Sequence, residues 1–405
     1  MVSQQKEKFM NMQRKRFKMQ IETSTSCVGT CTGCALTSAQ RLSQVPVLQD
    51  TKSFFERLSG FYSESIRILE DDYHEYCEYV VVELGVGEHF NFTNDYIQDL
   101  AVNLKAFLER TGRKYIVSLS TSGLLPVNKM EEKLNILNSV IDKENLEIQL
   151  VVNLNAFEKY EKKYHDALDL FQKHSSFQNI LINFDNQLPL ENCEKFAKLL
   201  TKYAITDFQL VYGLKQHNMS KVGFENKLFY DVYREILKHA PVGYRQYDIR
   251  KGAYKFFNKK EEISIHDAIN QAVSKCFNVQ AFIDYEGKIY SLIYTMIGGI
   301  ELDERAGFSS DVSIWEQDAA KKYFELDGKI KRELLKTYVT SEVCQECPYK
   351  GECYSAGVPL MAKSLINAKE GKCYNPLMHF YSNAQEILSN YVDNDPTDFE
   401  AKDGR

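Results

Sequence analysis

Six short apolar runs, separated by helix-length amphipathic stretches, restrict this chain more than any other feature of its sequence. They are FKMQIETS (17–24), YVVVELG (79–85), KYIVSLS (114–120), LEIQLVVNL (146–154), NILINF (179–184) and FQLVYG (208–213). Each is rich in Val, Ile, Leu and aromatics and is short enough for a strand covered on both faces. Between them, TNDYIQDLAVNLKAFLERTG opens on a capping Thr93 or Asn94 and stops at Gly112. NKMEEKLNILNSVIDKE, FEKYEKKYHDALDLFQKH, ENCEKFAKLLTKYA and FENKLFYDVYREILKH keep the same apolar rhythm. Six β-then-α units predict an α/β fold with a parallel sheet, either open or closed part-way into a six-unit barrel. In both architectures ligands gather at the carboxyl ends of the strands.

Those ends are polar or glycine-rich. The first strand runs into TSCVGTCTGCAL (25–36), and the next four end ELGVGEHF, STSGLL, NLNAF and NFDNQ. Past residue 242 the rhythm breaks. FNVQAFIDYEGKIYSLIYTM reads as a hairpin turned by Tyr-Glu-Gly. A helical stretch at about 314–338, a second cysteine group and a helix near 376–390 follow, and the acidic tail VDNDPTDFEAKDGR is expected to fray. No internal repeat is visible.

At 405 residues, one large α/β domain with a smaller appendage fits better than a single core. A net charge of −6 gives no general electrostatic case for nucleic acid, and the basic run RKRFK (14–18) is too short to make one. No apolar run approaches the roughly 18–20 residues of a membrane span. The first twenty residues, with alternating charge, do not resemble a secretory signal. Ten cysteines in such a chain point to a reducing compartment, the cytoplasm, where clustered thiols bind metal. Seven fall into two groups, 27/31/34 and 344/347/353/373, while Cys77, Cys193 and Cys276 stand alone.

Three close thiolates are soft ligands suited to zinc or to an iron–sulfur cluster. Structural zinc needs a fourth ligand, and His74 and His89 lack a suitable spacing to the loop. A cubane held by three cysteines leaves one iron open to a ligand. Spacing alone leaves both metals in play.

C-x3-C-x2-C after a first β-strand resembles the signature of the radical S-adenosylmethionine (radical SAM) superfamily. The resemblance implies a partial (β/α)6 barrel over residues 1–242, with a 4Fe–4S cluster on Cys27, Cys31 and Cys34. The open iron of that family binds the amino and carboxylate groups of S-adenosylmethionine. Reductive cleavage of the cofactor then gives a 5′-deoxyadenosyl radical that takes hydrogen from the substrate. Gly85, Gly87 and Glu88 stand where the family has Gly-Gly-Glu, glycine allowing close backbone approach to the ligand and the acid answering its ammonium. Thr121-Ser122-Gly123-Leu124-Leu125 is similar to the Thr-Asn-Gly-x-Leu-Leu end of strand three in one large branch. Asn153 and Asn155 are placed to meet the ribose, with Asn183 and Asp185 on strand five as further polar groups. Taken singly, each is an ordinary strand-end turn or amide; their order behind the cysteine loop joins them. Two departures stand out: Gly33 replaces an aromatic residue that packs beside the adenine, and His89 replaces a proline. His89 is expected as a neutral surface histidine, with proton transfer as the alternative.

Cys344-x2-Cys347-x5-Cys353-x19-Cys373 has enough thiols to saturate a metal, zinc or cluster. The spacing resembles the SPASM extension, which implies a small α+β iron–sulfur domain over 243–392, a tail at 393–405 and one auxiliary 4Fe–4S cluster. Of the extension's inner-cluster ligands only Cys276 is present, Leu292 and Gly357 occupying the other positions, so no inner cluster is expected. Cys276 is then either a buried thiol or a catalytic hydrogen donor, and Cys77 and Cys193 are expected to be inert. Ile293 stands where sulfatase-maturing members carry an aspartate base, which argues against that reaction.

The resemblance implies an enzyme of oxidoreductase or peptide-modifying type that alters a peptide or protein side chain by crosslinking, thioether formation or epimerisation. Small-molecule chemistry, such as dehydrogenation or the reactions of haem-d1 and antibiotic assembly, is the alternative, and a non-catalytic iron–sulfur scaffold a third. The implied partners are a peptide or small-molecule substrate, a reductant such as flavodoxin or ferredoxin, and a separate peptide-recognition protein. Neither membrane nor nucleic acid is expected.

Overall fold

A computed structural model describes residues 16–29, 31, 36, 38–43, 45–72, 76–184, 188–205, 208–212, 226–239, 280–290, 312–328 and 342–346. The first strand, β1 (Arg16–Ser24), is followed by a short α1 (Ser38–Leu42) and a long α2 (Thr51–Asp71). Strands and helices then alternate as β2 (Tyr79–Val86), α3 (Asn94–Thr111), β3 (Lys114–Thr121), α4 (Val127–Asn138), β4 (Leu146–Asn153) and α5 (Phe157–His174). After these come β5 (Phe177–Phe184), α6 (Glu191–Lys202), β6 (Phe208–Tyr212) and α7 (Asn226–His239). All six expected strands lie within two residues of the sequence runs. They pair in parallel in the order β6-β5-β4-β3-β2-β1.

Side-chain alternation along the strands separates two environments. Phe17, Met19, Ile21, Val80, Val82 and Leu84 face the helices and join one continuous core. The opposite face carries Lys18, Gln20, Glu22, Glu83, Ser118 and Glu147, with a small separate apolar cluster of Tyr79, Val81 and Ile116. The helix-facing side therefore supplies most of the apolar pattern, and the other face is polar apart from this cluster.

The expected caps form on α3. Thr93 Oγ1 accepts from the Tyr96 N–H at 3.4 Å, and Gly112 closes the helix at φ 63°. Helix α2 has no counterpart among the helices expected from sequence, although Asp50 caps it, its carboxylate accepting from the Ser53 N–H at 3.0 Å. This helix buries Phe54, Phe55, Leu58, Phe61 and Tyr62. Phe17 meets Tyr62 edge-on at 5.5 Å, and Phe55 stacks on Phe107 of α3 at 5.9 Å, so α2 links β1 to the next helix.

The expected hairpin is present as β7 (Gln280–Ile283) and antiparallel β8 (Ile289–Tyr290). Gly287, at φ 86°, closes its turn; a Cβ there would lie 2.6 Å from Trp315 Nε1. Strand β7 also pairs in parallel with β1, so the hairpin extends the barrel sheet to eight strands. Residues 319–328 are helical, within the stretch expected at 314–338. Tyr323 from that segment packs on Phe61 of α2 at 5.8 Å, and Arg57 donates to the Trp315 carbonyl at 2.6 Å. The helix expected near 376–390 and the acidic tail lie outside the described residues. Among the described residues, no helix is long and apolar enough to cross a membrane.

Candidate cofactor and metal site

The exit of β1 begins with a register shift between Glu22 and Ser24. Thr23, Ser24, Thr25 and Ser26 are then all buried, an unusual run of hydroxyls below the half-buried Cys27 and Cys31. The Gly29 N–H donates to Cys27 Sγ at 3.2 Å. A side chain at Gly29 would place its Cβ 3.1 Å from Cys27 Sγ, 3.4 Å from Ser122 Cβ and 3.9 Å from Cys31 Sγ. Glycine here keeps the space between the thiols clear and brings the loop against the end of β3. Arg41 of α1 pins the same loop, accepting from the Cys27 N–H at 3.0 Å through its carbonyl and donating to the Gly29 carbonyl at 3.4 Å. Nothing in the sequence pattern marked Arg41.

At the exit of β2, Gly87 lies directly on the β1 exit. A Cβ would sit 2.2 Å from the Ser26 carbonyl oxygen and 3.0 Å from Ser24 Oγ. Protein backbone already makes glycine obligatory at this position. Gly85 is less constrained, its nearest neighbour being the end of the Gln20 side chain at 3.2 Å.

Glu88 is 1 % exposed and turns toward β3. Its Oε2 accepts from Thr121 Oγ1, from the Ser122 N–H and from Ser122 Oγ, each at 2.9 Å. Burial pushes the carboxyl above its usual range, against the pull of these donors. Three residues expected at the cofactor thus engage one another, and Oε1 is left without a hydrogen-bond partner among the described residues. Gly123, at φ 65°, turns the chain; its Thr121 neighbour accepts from the Gly123 N–H at 3.1 Å.

His89 is not on the surface as expected. It is 1 % exposed, Thr23 Oγ1 contacts its Nε2, and burial pushes its ring down to about 4, so it is neutral. Its position between the β1 exit and Phe92, at 6.4 Å ring to ring, is that of a packing residue.

The β4 end is a tight turn. Asn153 accepts from the Asn155 N–H at 3.1 Å, while its own N–H donates to Tyr164 Oη at 3.2 Å. Asn192 of α6 donates to the Leu154 carbonyl at 2.8 Å and holds the turn from outside. Asn153 and Asn183 are register partners on β4 and β5. Tyr164 and Asn192 sit inside helices 11 and 39 residues after Asn153, and no local pattern separates them from ordinary helix positions.

Cys34, Asp185, Cys276, Leu292, Ile293, Cys347, Cys353, Gly357 and Cys373 lie outside the described residues, and Cys344 belongs to a short helix, Glu342–Gln345. Among the described residues no three cysteine, histidine or acidic side chains gather into a metal site. Cys77 and Cys193 are both buried, and burial pushes the Cys193 thiol up to about 12, in keeping with the inertness expected of it.

The fold is α/β, a mostly parallel sheet with helices, and solved structures of radical SAM enzymes share it. No protein-family description matches the chain, and no curated protein matches it in sequence. Solved structures of anSMEcpe, a radical SAM anaerobic sulfatase-maturating enzyme, are similar in fold. Native anSMEcpe with bound AdoMet and Cp18Cys peptide superimposes with a TM-score of 0.54 at 16% identity, over 92% of this chain and 96% of that one. Native anSMEcpe with bound AdoMet gives 0.54 at 17% identity, over 92% and 97%. At such identities the likeness is one of fold.

Proposed function

We propose that the chain is a radical SAM enzyme that modifies a peptide or protein side chain. The observation that carries this reading is the cysteine loop at the carboxyl end of β1, abutting the Glu88–Thr121–Ser122 cluster in a fold shared with AdoMet-bound structures. The residues present fit such a group: Cys27 and Cys31 flank a glycine whose missing side chain leaves their sulfurs accessible to a common partner. The Phe90 N–H also lies near buried Glu88, but Oε1 has no close hydrogen bond among the described residues and so keeps capacity to accept from an ammonium.

In this reading Cys27, Cys31 and Cys34 hold the 4Fe–4S cluster. Together with S-adenosylmethionine it supplies a 5′-deoxyadenosyl radical for hydrogen abstraction. Gly85 and Gly87 keep the backbone of β2 close to the cofactor's amino-acid end, and Glu88 holds Thr121 and Ser122 in place beside it. Asn153, Asn155 and Asp185 provide polar groups for the ribose. Cys344, Cys347, Cys353 and Cys373 hold one auxiliary cluster in the second domain, and Cys276 serves as hydrogen donor. The Cp18Cys peptide bound by anSMEcpe supports a peptide as substrate here. Ile293, in place of an aspartate base, directs the proposal away from sulfatase oxidation and toward crosslinking, thioether formation or epimerisation. Reduction comes from flavodoxin or ferredoxin, with a separate protein presenting the peptide.

The test is anaerobic reconstitution followed by addition of S-adenosylmethionine and dithionite. Formation of 5′-deoxyadenosine and methionine is expected. Zinc at the amino-terminal triad, with neither product formed, would overturn the proposal.

A further inference from the structure

Parallel sheets are normally covered on both faces by Val, Ile and Leu, and barrel interiors are packed with the same residues. Here the face turned away from the helices carries Gln20, Glu83, Ser118 and Glu147 side by side on four neighbouring strands. None is more than 8 % exposed. On β5 the same face presents Asn179 and Asn183, whose buried Oδ1 atoms have no hydrogen-bond partner among the described residues. Acceptors held out of bulk water without donors indicate a place where a polar guest supplies them.

The charge on this face is not balanced along its height. In the lower layers Lys18 pairs with Glu83, and Lys18 and Arg16 both act on Glu147. One layer higher stands Glu22, beside Gly85 on β2 and next to Asp284, because Ile21 of β1 pairs with Ile283 of β7. Asp284 accepts from the N–H groups of Glu286 and Lys288, at 3.0 and 2.8 Å, and from Tyr290 Oη at 2.9 Å, so its side chain is fixed beside Glu22. The charges acting on Glu22 from this hairpin, Asp284 and Glu286, are both negative; its hydrogen-bond donor there is the Tyr285 N–H.

We propose that Glu22, backed by Asp284, receives a positively charged nitrogen of the substrate, so that the enzyme acts on a peptide bearing a lysine-like amine or an arginine-like guanidinium near the reacting residue. This specifies the substrate class of the reaction proposed above and rests on that reading for the chemistry. The binding itself needs no turnover. Burial, Asp284 and Glu286 push the Glu22 carboxyl up to about 7, with the Tyr285 N–H opposing them. Lys18 and Glu83 in the layers below are already paired, and among the described residues Tyr285 is a further titratable neighbour. A bound cation draws that carboxyl back toward its ordinary range. At pH 7 its arrival therefore expels about half a proton.

The experiment uses the cluster-loaded protein with S-adenosylmethionine and three probes: Nα-acetyl-lysine amide, Nα-acetyl-arginine amide and Nα-acetyl-norleucine amide. Calorimetry in two buffers of different ionisation enthalpy reads affinity and proton release. The two cationic probes are expected to bind at least tenfold more tightly than norleucine and to release protons at pH 7. Glu22→Gln, which keeps the acceptor for Tyr285, is expected to abolish both the preference and the release. If that variant does not fold, Glu22→Asp is expected to weaken binding while preserving release. Equal binding of the norleucine probe, no binding of any probe, or a preference that survives Glu22→Gln each overturns the proposal. Formation of 5′-deoxyadenosine, measured separately, reports on the radical reading independently.

Discussion

Glu88 and Ser122 are joined twice, the backbone N–H and the hydroxyl of Ser122 both reaching one oxygen of the same buried carboxylate at 2.9 Å. Thr121 adds a third donor. Glu88→Ala would leave these donors unmatched in a dry site, at about 1–3 kcal/mol for each unsatisfied group. With three donors left, an overall loss of at least ~3 kcal/mol is expected in denaturant titration. Glu88→Gln keeps one acceptor oxygen and should lose less than half as much. If Glu88→Gln weakens binding of S-adenosylmethionine without loss of stability, the carboxylate charge also reads the cofactor's ammonium.

Two glycines make a matched pair of tests. At Gly87 a methyl group would strike the Ser26 carbonyl at 2.2 Å, and overpacking of this kind costs about 1–3 kcal/mol or more. Gly87→Ala is expected to lower stability and to reduce the iron retained at the cysteine loop. Gly60, in the middle of α2, has nothing within 4 Å of its Cβ position. Gly60→Ala should stabilise the protein by about 0.5–1 kcal/mol, since alanine favours helix where glycine does not. Thermal unfolding of both variants checks the contrast.

His89 predicts a pH dependence whose sign is fixed by its burial. Its folded value of about 4 lies below the ordinary 6.5, so the unfolded chain binds its proton first as pH falls. The stability that neutral His89 permits is complete above pH ~6.5 and is lost progressively toward pH ~4, by ~3 kcal/mol in total. Glu22 runs the other way, because a carboxyl raised to about 7 favours the folded state more at lower pH. The wild-type curve alone therefore mixes the two. The difference between wild type and His89→Gln, measured by urea unfolding from pH 7 to pH 4.5, isolates the histidine and should grow more negative with acid.

The two cysteine groups should lose metal separately. After anaerobic reconstitution, Cys27→Ala with Cys31→Ala is expected to remove half of the bound iron and to abolish 5′-deoxyadenosine formation. Cys344→Ala with Cys347→Ala should remove the other half while leaving cleavage of S-adenosylmethionine measurable. Iron and sulfide assays with electron paramagnetic resonance check both.

Local patterns carried most of the barrel. The six strands and α3, with its Thr93 and Gly112 caps, were legible because hydrophobic period and capping chemistry are properties of adjacent residues. The hairpin turn at Gly287 was legible for the same reason. Its docking was not: pairing of Lys18 with Gln280 leaves no trace in either segment alone. At the site, Gly87 and Glu88 were found at the correct strand end, but their contacts with Ser26 and Ser122 are set by how three strand ends converge. His89 was read as a surface residue because nothing beside it in sequence indicates that Thr23 and Phe92 enclose it.

Strand β1 lies between β2 and β7, and its second partner is about 260 residues downstream. During synthesis at about 5–20 residues per second, that edge of the sheet waits roughly 13–50 s for the strand that covers it. Over that interval a nascent chain presents an unpaired parallel edge, the kind of surface that recruits other strands. Ribosome-bound chaperones, or slow growth at low temperature, should accordingly govern how much of this protein is recovered in soluble form.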